Sequence, residues 1–178
     1  GNHNIAIGKD ALGGATGASM SAIAIGSNAL SHASYAAAAI NLAIGHNAGD
    51  AITSGTRNVL IGHQAGSGVS TVSDLTAVGY NALMAATGTN NTAVGSSAAD
   101  AITTGAGNTV VGSWALGTAN GDEDNNTVIG STAMFALDSD TANGNIAIGT
   151  DAGRYYETTA SGAPDPDGDL TQALNSIY

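Results

Sequence analysis

The chain has 178 residues, of which 26 are glycine, with 4% aromatic and 10% charged side chains, no cysteine and a formal net charge of −11. That length suits one domain with a real core, but so few aromatic side chains exclude a core built on large rings, and so few charges exclude disorder. Three basic residues, Lys9, Arg57 and Arg154, exclude a nucleic-acid partner and insertion at anionic membranes, and the lack of cysteine excludes disulfides and thiol chemistry. No apolar run approaches the roughly 20 residues of a bilayer span. The first residue is Gly1 rather than Met, as expected of a processed chain or a fragment.

The first predicted element begins almost at once, in Asn4-Ile5-Ala6-Ile7-Gly8-Lys9-Asp10-Ala11-Leu12. The phrase returns eight times, with its central glycine at Gly26, Gly45, Gly62, Gly79, Gly95, Gly112, Gly130 and Gly149, in steps of 16 to 19 residues. A fixed phrase at a near-fixed period predicts stacked coils that bury a continuous core between neighbours.

Position by position, the phrase reads as a short strand followed by a turn. One residue before each glycine stands a β-branched residue, from Ile7 to Ile148, and two before stands an apolar and mostly small one, from Ala6 to Ala147. Three before stand Ile5, Ile23, Leu42, Val59, Thr76, Thr92, Thr109, Thr127 and Ile146. Side chains alternate along a strand, so this one is apolar on both faces and lies between two layers. One face lines the coil; nine apolar residues in register on the other would make a long exposed stripe. Either a partner chain covers it or the coil is flattened and both faces are internal, and a symmetric homo-oligomer is the favoured expectation. The invariant glycine marks a turn with positive φ or a close backbone approach. The Ala three residues later, from Ala11 to Ala152, fits a tight corner.

Four residues before the glycine, seven copies carry Asn: Asn4, Asn41, Asn58, Asn91, Asn108, Asn126 and Asn145. Stacked coils place like residues about 4.8 Å apart, a spacing at which Asn side chains form a hydrogen-bonded ladder. The spacers vary, although Asp50-Ala51-Ile52-Thr53-Ser54-Gly55 returns as Asp100-Ala101-Ile102-Thr103-Thr104-Gly105. Their Ser, Thr, Gly and Asp content predicts outward loops, where binding surfaces sit. After Gly153 the composition changes: Arg154-Tyr155-Tyr156 is followed by Pro164 and Pro166 among acidic residues, and Leu170, Ala173, Leu174 and Ile177 follow a helical spacing. Residues 1–156 therefore form the repeat domain, and 157–178 an acidic linker with a short helix, a cap or the start of a neck.

Candidate chemistry is sparse. His46 and His63 occupy the same place in successive copies and would stack close enough to share a metal, against the plainer reading of an exposed polar column. Asp122 and Asp124, within an acidic triplet, and the acidic stretch from Asp165 to Asp169 are oxygen-rich candidates for Ca²⁺, although neither has EF-hand spacing. Trp114 is a lone ring in a column of Asp, Asn, Gln, Ser and Thr. It is a candidate for stacking on a sugar, with Tyr80 or Tyr155 assisting, or for packing over a neighbouring loop or chain. The Thr76–Thr127 column admits an ice-binding surface, and Asp138 with Asp140 a glycan depolymerase; a single threonine column and the lack of an arguable cleft count against both.

The phrases Asn91-Thr92-Ala93-Val94-Gly95, Asn108-Thr109-Val110-Val111-Gly112 and Asn145-Ile146-Ala147-Ile148-Gly149 resemble the head repeats of trimeric autotransporter adhesins, the YadA-like heads, and the similar repeats of bacteriophage tail fibres. The resemblance covers about residues 4–153. It implies an all-β fold, a left-handed parallel β-roll of about nine coils assembled as a homotrimer, acting without enzymatic activity in attachment to a host glycan or protein receptor. It places the chain outside the cell, in a virion tail fibre or on a bacterial surface. Adhesin heads have shorter coils and a Ser after the glycine motif, whereas this chain has longer steps and Ala. The Thr-Thr-Gly spacer and the Ala-Leu or Ala-Gly endings are closer to the phage sequences. A self-assembling extracellular filament is the remaining alternative.

Overall fold

The structure is a computed structural model that describes residues 3–14, 21–32, 40–118, 121, 123–136 and 143–154. The predicted helix and linker of 157–178, Asp122 and Tyr155 lie outside the described residues, as do Asp138 and Asp140. Every copy of the phrase forms a strand of three residues: β1 (Ile5–Ile7), β2 (Ile23–Ile25), β3 (Leu42–Ile44), β4 (Val59–Ile61), β5 (Thr76–Val78), β6 (Thr92–Val94), β7 (Thr109–Val111), β8 (Thr127–Ile129) and β9 (Ile146–Ile148). They make one parallel sheet in chain order, each strand bonded to the next. The pairing keeps the phrase in phase, so Ala43 faces Leu60 and Leu60 faces Ala77. Steps of unequal length are thus absorbed in the spacers. The described residues are all-β, a parallel β-solenoid without helix, whose closed core runs about seven turns. That is fewer than the nine coils predicted from the phrase count: in β1, all three residues are exposed, and burial begins at β2.

The two faces of the strand separate by size. The small column points inward, and Ala24, Ala43, Leu60, Ala77, Ala93 and Val128 are fully buried. The two flanking columns, β-branched except for Leu42, point outward and remain partly exposed, from Ile5 and Ile7 to Ile146. Small residues belong inside because the coil is narrow. Opposite walls supply the Ala three places after the glycine, such as Ala65 and Ala82, and the residue after it, such as Leu83 or Leu116, all fully buried. Volume is conserved between walls. At Leu60, the one Leu in the inward column, the neighbouring walls carry Gly49 and Gly66; a Cβ at Gly66 would lie 2.8 Å from Leu60 Cδ2. Where the inward residue is Ala77, the wall residue in that coil is Leu83.

The spacers depart from the expectation of purely outward loops. Ile52, Val69, Ala86 and Ile102 are fully buried and complete a further wall of the core. The polar residues of the same spacers face out, Ser54 and Thr104 among them.

Each coil turns through recurrent left-handed residues. The central glycines have φ between 126° and 142°. A Cβ on Gly79 would collide with the carbonyl of Gly95 in the next coil, so both predicted reasons for glycine hold together. Two residues later a non-glycine repeats the left-handed conformation in all nine copies, from Asp10 at 57° through Asn47 at 56° and Trp114 at 58° to Asp151 at 57°. Asn and Asp recur there because their short polar side chains tolerate this region better than others do. A further left-handed position follows two residues on, filled by Leu12, Leu30, Gly49, Gly66, Leu83, Ala99, Leu116, Met134 or Gly153.

The Asn column forms the predicted ladder and runs mainly from side chain to backbone. Asn41, Asn58, Asn91, Asn108 and Asn126 are buried. Asn41 Oδ1 accepts from the backbone N–H of Asn58 at 2.9 Å, while its Nδ2 donates to Gly55 O at 2.8 Å. The pattern repeats from Asn58 to Leu75 N and Val72 O. Direct amide-to-amide bonds join Asn108 to Asn91, Asn126 to Asn108 and Asn145 to Asn126, at 3.1 to 3.2 Å. Where the column lacks Asn, at Ala22 and Leu75, the backbone N–H still bonds to the Asn of the preceding coil.

Candidate functional surfaces

Three surfaces emerge from this register. The first is the outer face of the sheet, where the two flanking columns stand side by side along the whole stack. From β2 to β5 these side chains are half-buried; in β6 to β8 one of the two flanking positions is exposed, and the end strands open furthest, with Ile7 59% and Ile146 71% exposed. A depression of about 310 Å³ lies over Ile23, Leu42 and Val59, rimmed by Ile40 and Arg57. This face, apolar except for the Thr76, Thr92, Thr109 and Thr127 stretch of one column, has the character of a packing surface.

The second surface is the column just after the glycines. His46 and His63 stack as expected, with ring centroids 5.1 Å apart and planes 19° from parallel. The stack continues one coil further, where Tyr80 lies 5.4 Å from His63 at 18°. All three rings are exposed. Among the described residues, no group of three or more His, Asp or Glu side chains gathers at one point to hold a metal.

The third surface surrounds Trp114. Its ring meets Phe135 edge-on, with centroids 6.0 Å apart and planes at 71°. Tyr80, a candidate to assist Trp114, lies in the histidine stack, two coils before it. The Arg154 guanidinium lies over the Phe135 ring, 5.7 Å from its centroid. Arg154 Nη1 also donates to Asp151 Oδ1 at 2.8 Å, and Thr132 Oγ1 donates to the same oxygen at 2.5 Å. These bonds, that from Thr132 foremost, hold the Asp151 carboxyl below its usual range. Phe135 and Arg154 were missed in the sequence because they stand in the spacers. Counting five residues on from Gly130 and Gly149 places them in one column, and that count was available.

The acidic candidates are tied into the scaffold. Asp124 Oδ1 accepts from Ala106 N in the preceding coil at 2.7 Å. The neighbouring Glu123 is fully buried and accepts from Gly121 N through Oε2 at 3.1 Å. Asp74 forms a two-pronged pair with Arg57, Nε to Oδ1 at 2.6 Å and Nη2 to Oδ2 at 2.7 Å. That pairing lowers the Asp74 pKa. Asp50 and Asp100, the twin residues of the recurring spacer, behave oppositely: burial raises both carboxyls above the usual range, and one oxygen of each has no hydrogen-bond partner.

The class of protein defined by these features is a parallel β-solenoid. No protein-family model, curated protein or solved structure matches the chain. Among the described residues no helix is long and apolar enough to cross a membrane.

Proposed function

We propose that this chain is a non-enzymatic, adhesive fibre segment, similar to those of phage tail fibres, in which three copies pack about one axis as left-handed rolls and present a receptor-binding head outside the cell. The observation that carries the proposal is the outer face: two columns of outward side chains, largely apolar, over nine strands. A single chain covers them only in part, and three copies around an axis would cover them with one repeated contact. Most motif positions serve packing, turning or the Asn ladder, which leaves the irregular spacers and exposed rings for contact with a host glycan or protein receptor. Ca²⁺ in the acidic spacers would be an accessory to that scaffold.

The test is adsorption of the labelled protein to cells. A tail-fibre role predicts saturable binding to particular bacterial strains. Binding to animal cells or matrix instead would support the second reading, the head of a bacterial trimeric adhesin, which the same Asn-Thr-Ala-Val-Gly phrases favour. Binding to neither, with growth of long polymers, would contradict both and leave the filament.

A further inference from the structure

We propose that the patch formed by Trp114, Thr132, Phe135, Asp151 and Arg154 is a binding subsite for a neutral carbohydrate. This rests on the receptor-presenting reading above and names its ligand class. The first support is conformational. Trp114 is a bulky residue held at φ 58°, in a column where the eight other coils use Asp, Asn, Gln, Ser or Thr. Its ring fills no core, being 45% exposed. Strain retained to hold a large ring at the surface points to use of that ring.

The second support is the way the ring is held. Gly117 leaves room for Phe135: a Cβ there would meet the Phe135 ring at 3.0 Å. Phe135 therefore lies across the coil of Trp114 and buttresses its edge, while Arg154 covers Phe135. Three coils thus fix one platform.

The third support is polar. Trp114, Thr132 and Asp151 occupy the same position in consecutive coils. Stacking at about 4.8 Å per coil sets the indole and the carboxylate roughly 10 Å apart along the stack. Thr132 and Arg154 both bond to Asp151 Oδ1 and so fix the carboxylate. A sugar has an apolar C–H face and a rim of hydroxyls that donate and accept. A short oligosaccharide matches an aromatic platform with an oriented carboxylate two coils further on, the mixture of apolar wall and few placed polar groups that defines small-ligand sites. The net charge of −11 disfavours acidic sugars, and the local cation is already engaged with Asp151.

Trp114 is the one tryptophan of the chain, so its emission reports on the patch directly. The full chain is titrated with short neutral oligosaccharides prepared from the surface polysaccharide of cells that it adsorbs to, with binding heat measured in parallel. The proposal predicts a saturable emission change whose midpoint equals that of the heat. Trp114→Asn, which installs the residue common in that column, keeps the assembly mass and weakens sugar binding about tenfold or more, and Asp151→Asn weakens it about tenfold. If no neutral oligosaccharide alters the emission and Trp114→Asn adsorbs to cells like the parent, the subsite is wrong while the receptor-presenting reading stands. If Trp114→Asn changes the assembly mass, the ring packs against another copy and the subsite is again wrong. If the parent itself adsorbs to no cell, the receptor reading fails and takes this proposal with it.

Discussion

Gly79 shows how tightly single positions are determined. Its φ of 140° and the carbonyl of Gly95 opposite its missing Cβ make Gly79→Ala wrong in both conformation and space. The expected loss is about 3 kcal/mol or more, read as a fall in thermal or denaturant midpoint. The sequence displayed this requirement openly, since nine copies kept the glycine. It displayed the next one poorly. The column holding Asn47, Gln64 and Trp114 reads as merely polar, yet its common cause is the left-handed backbone; Gln, Ser, Thr and Trp at some coils blur an Asn/Asp signature that would have shown it. Asp50 was equally unreadable, because its burial depends on the spacer folding inward at Ile52. Its carboxyl has a folded-state pKa above the unfolded value, so the folded chain holds more protons between those values and stability rises as pH falls through them. Above that window the charged form costs stability. Asp50→Asn should therefore melt higher than the parent at neutral pH, and the difference should vanish in acid below both pKa values; a gain that persists there would rule out desolvation as its cause.

At the scale of the element, the strand and its Asn ladder were legible and their faces were not. Period and phrase located every strand, because each coil repeats the same pairing in phase. Alternation alone could not say which column entered the coil, since all three strand columns carry apolar residues. The answer lies in the opposite walls, where Leu60 facing Gly66 and Ala77 facing Leu83 fix the available width. The ladder makes a graded prediction. Asn91 is buried, donates to Gly88 O and Gly105 O, and accepts from the backbone and side chain of Asn108. Asn91→Ala leaves those buried groups unpaired and should destabilise by about 2–3 kcal/mol. Asn4 is half-buried in the first coil, with a bond to Ala22 N. Asn4→Ala should cost clearly less, about 1 kcal/mol. Equal losses in denaturant titrations of the two variants would contradict a ladder that depends on burial.

At the scale of the whole molecule, the stack separates support from contact. Glycine, alanine and asparagine columns build a narrow coil; the branched columns that would be core in an ordinary sheet stand outside it. The Trp114 patch belongs to this scale too, since Phe135 and Arg154 reach it only through the pairing of three coils, across spacers whose unequal lengths hide the alignment. We propose the branched outer face as an interface between copies of this chain. Sedimentation equilibrium of the intact protein, beside the variant Ile61→Lys in the middle of that face, is the test. A trimeric contact there gives one species at three times the 17.1 kDa chain mass, and dissociation with a lowered melting temperature when the lysine places a charge in the contact. A parent that sediments as a stable monomer, with Ile61→Lys unchanged beside it, would overturn that interface.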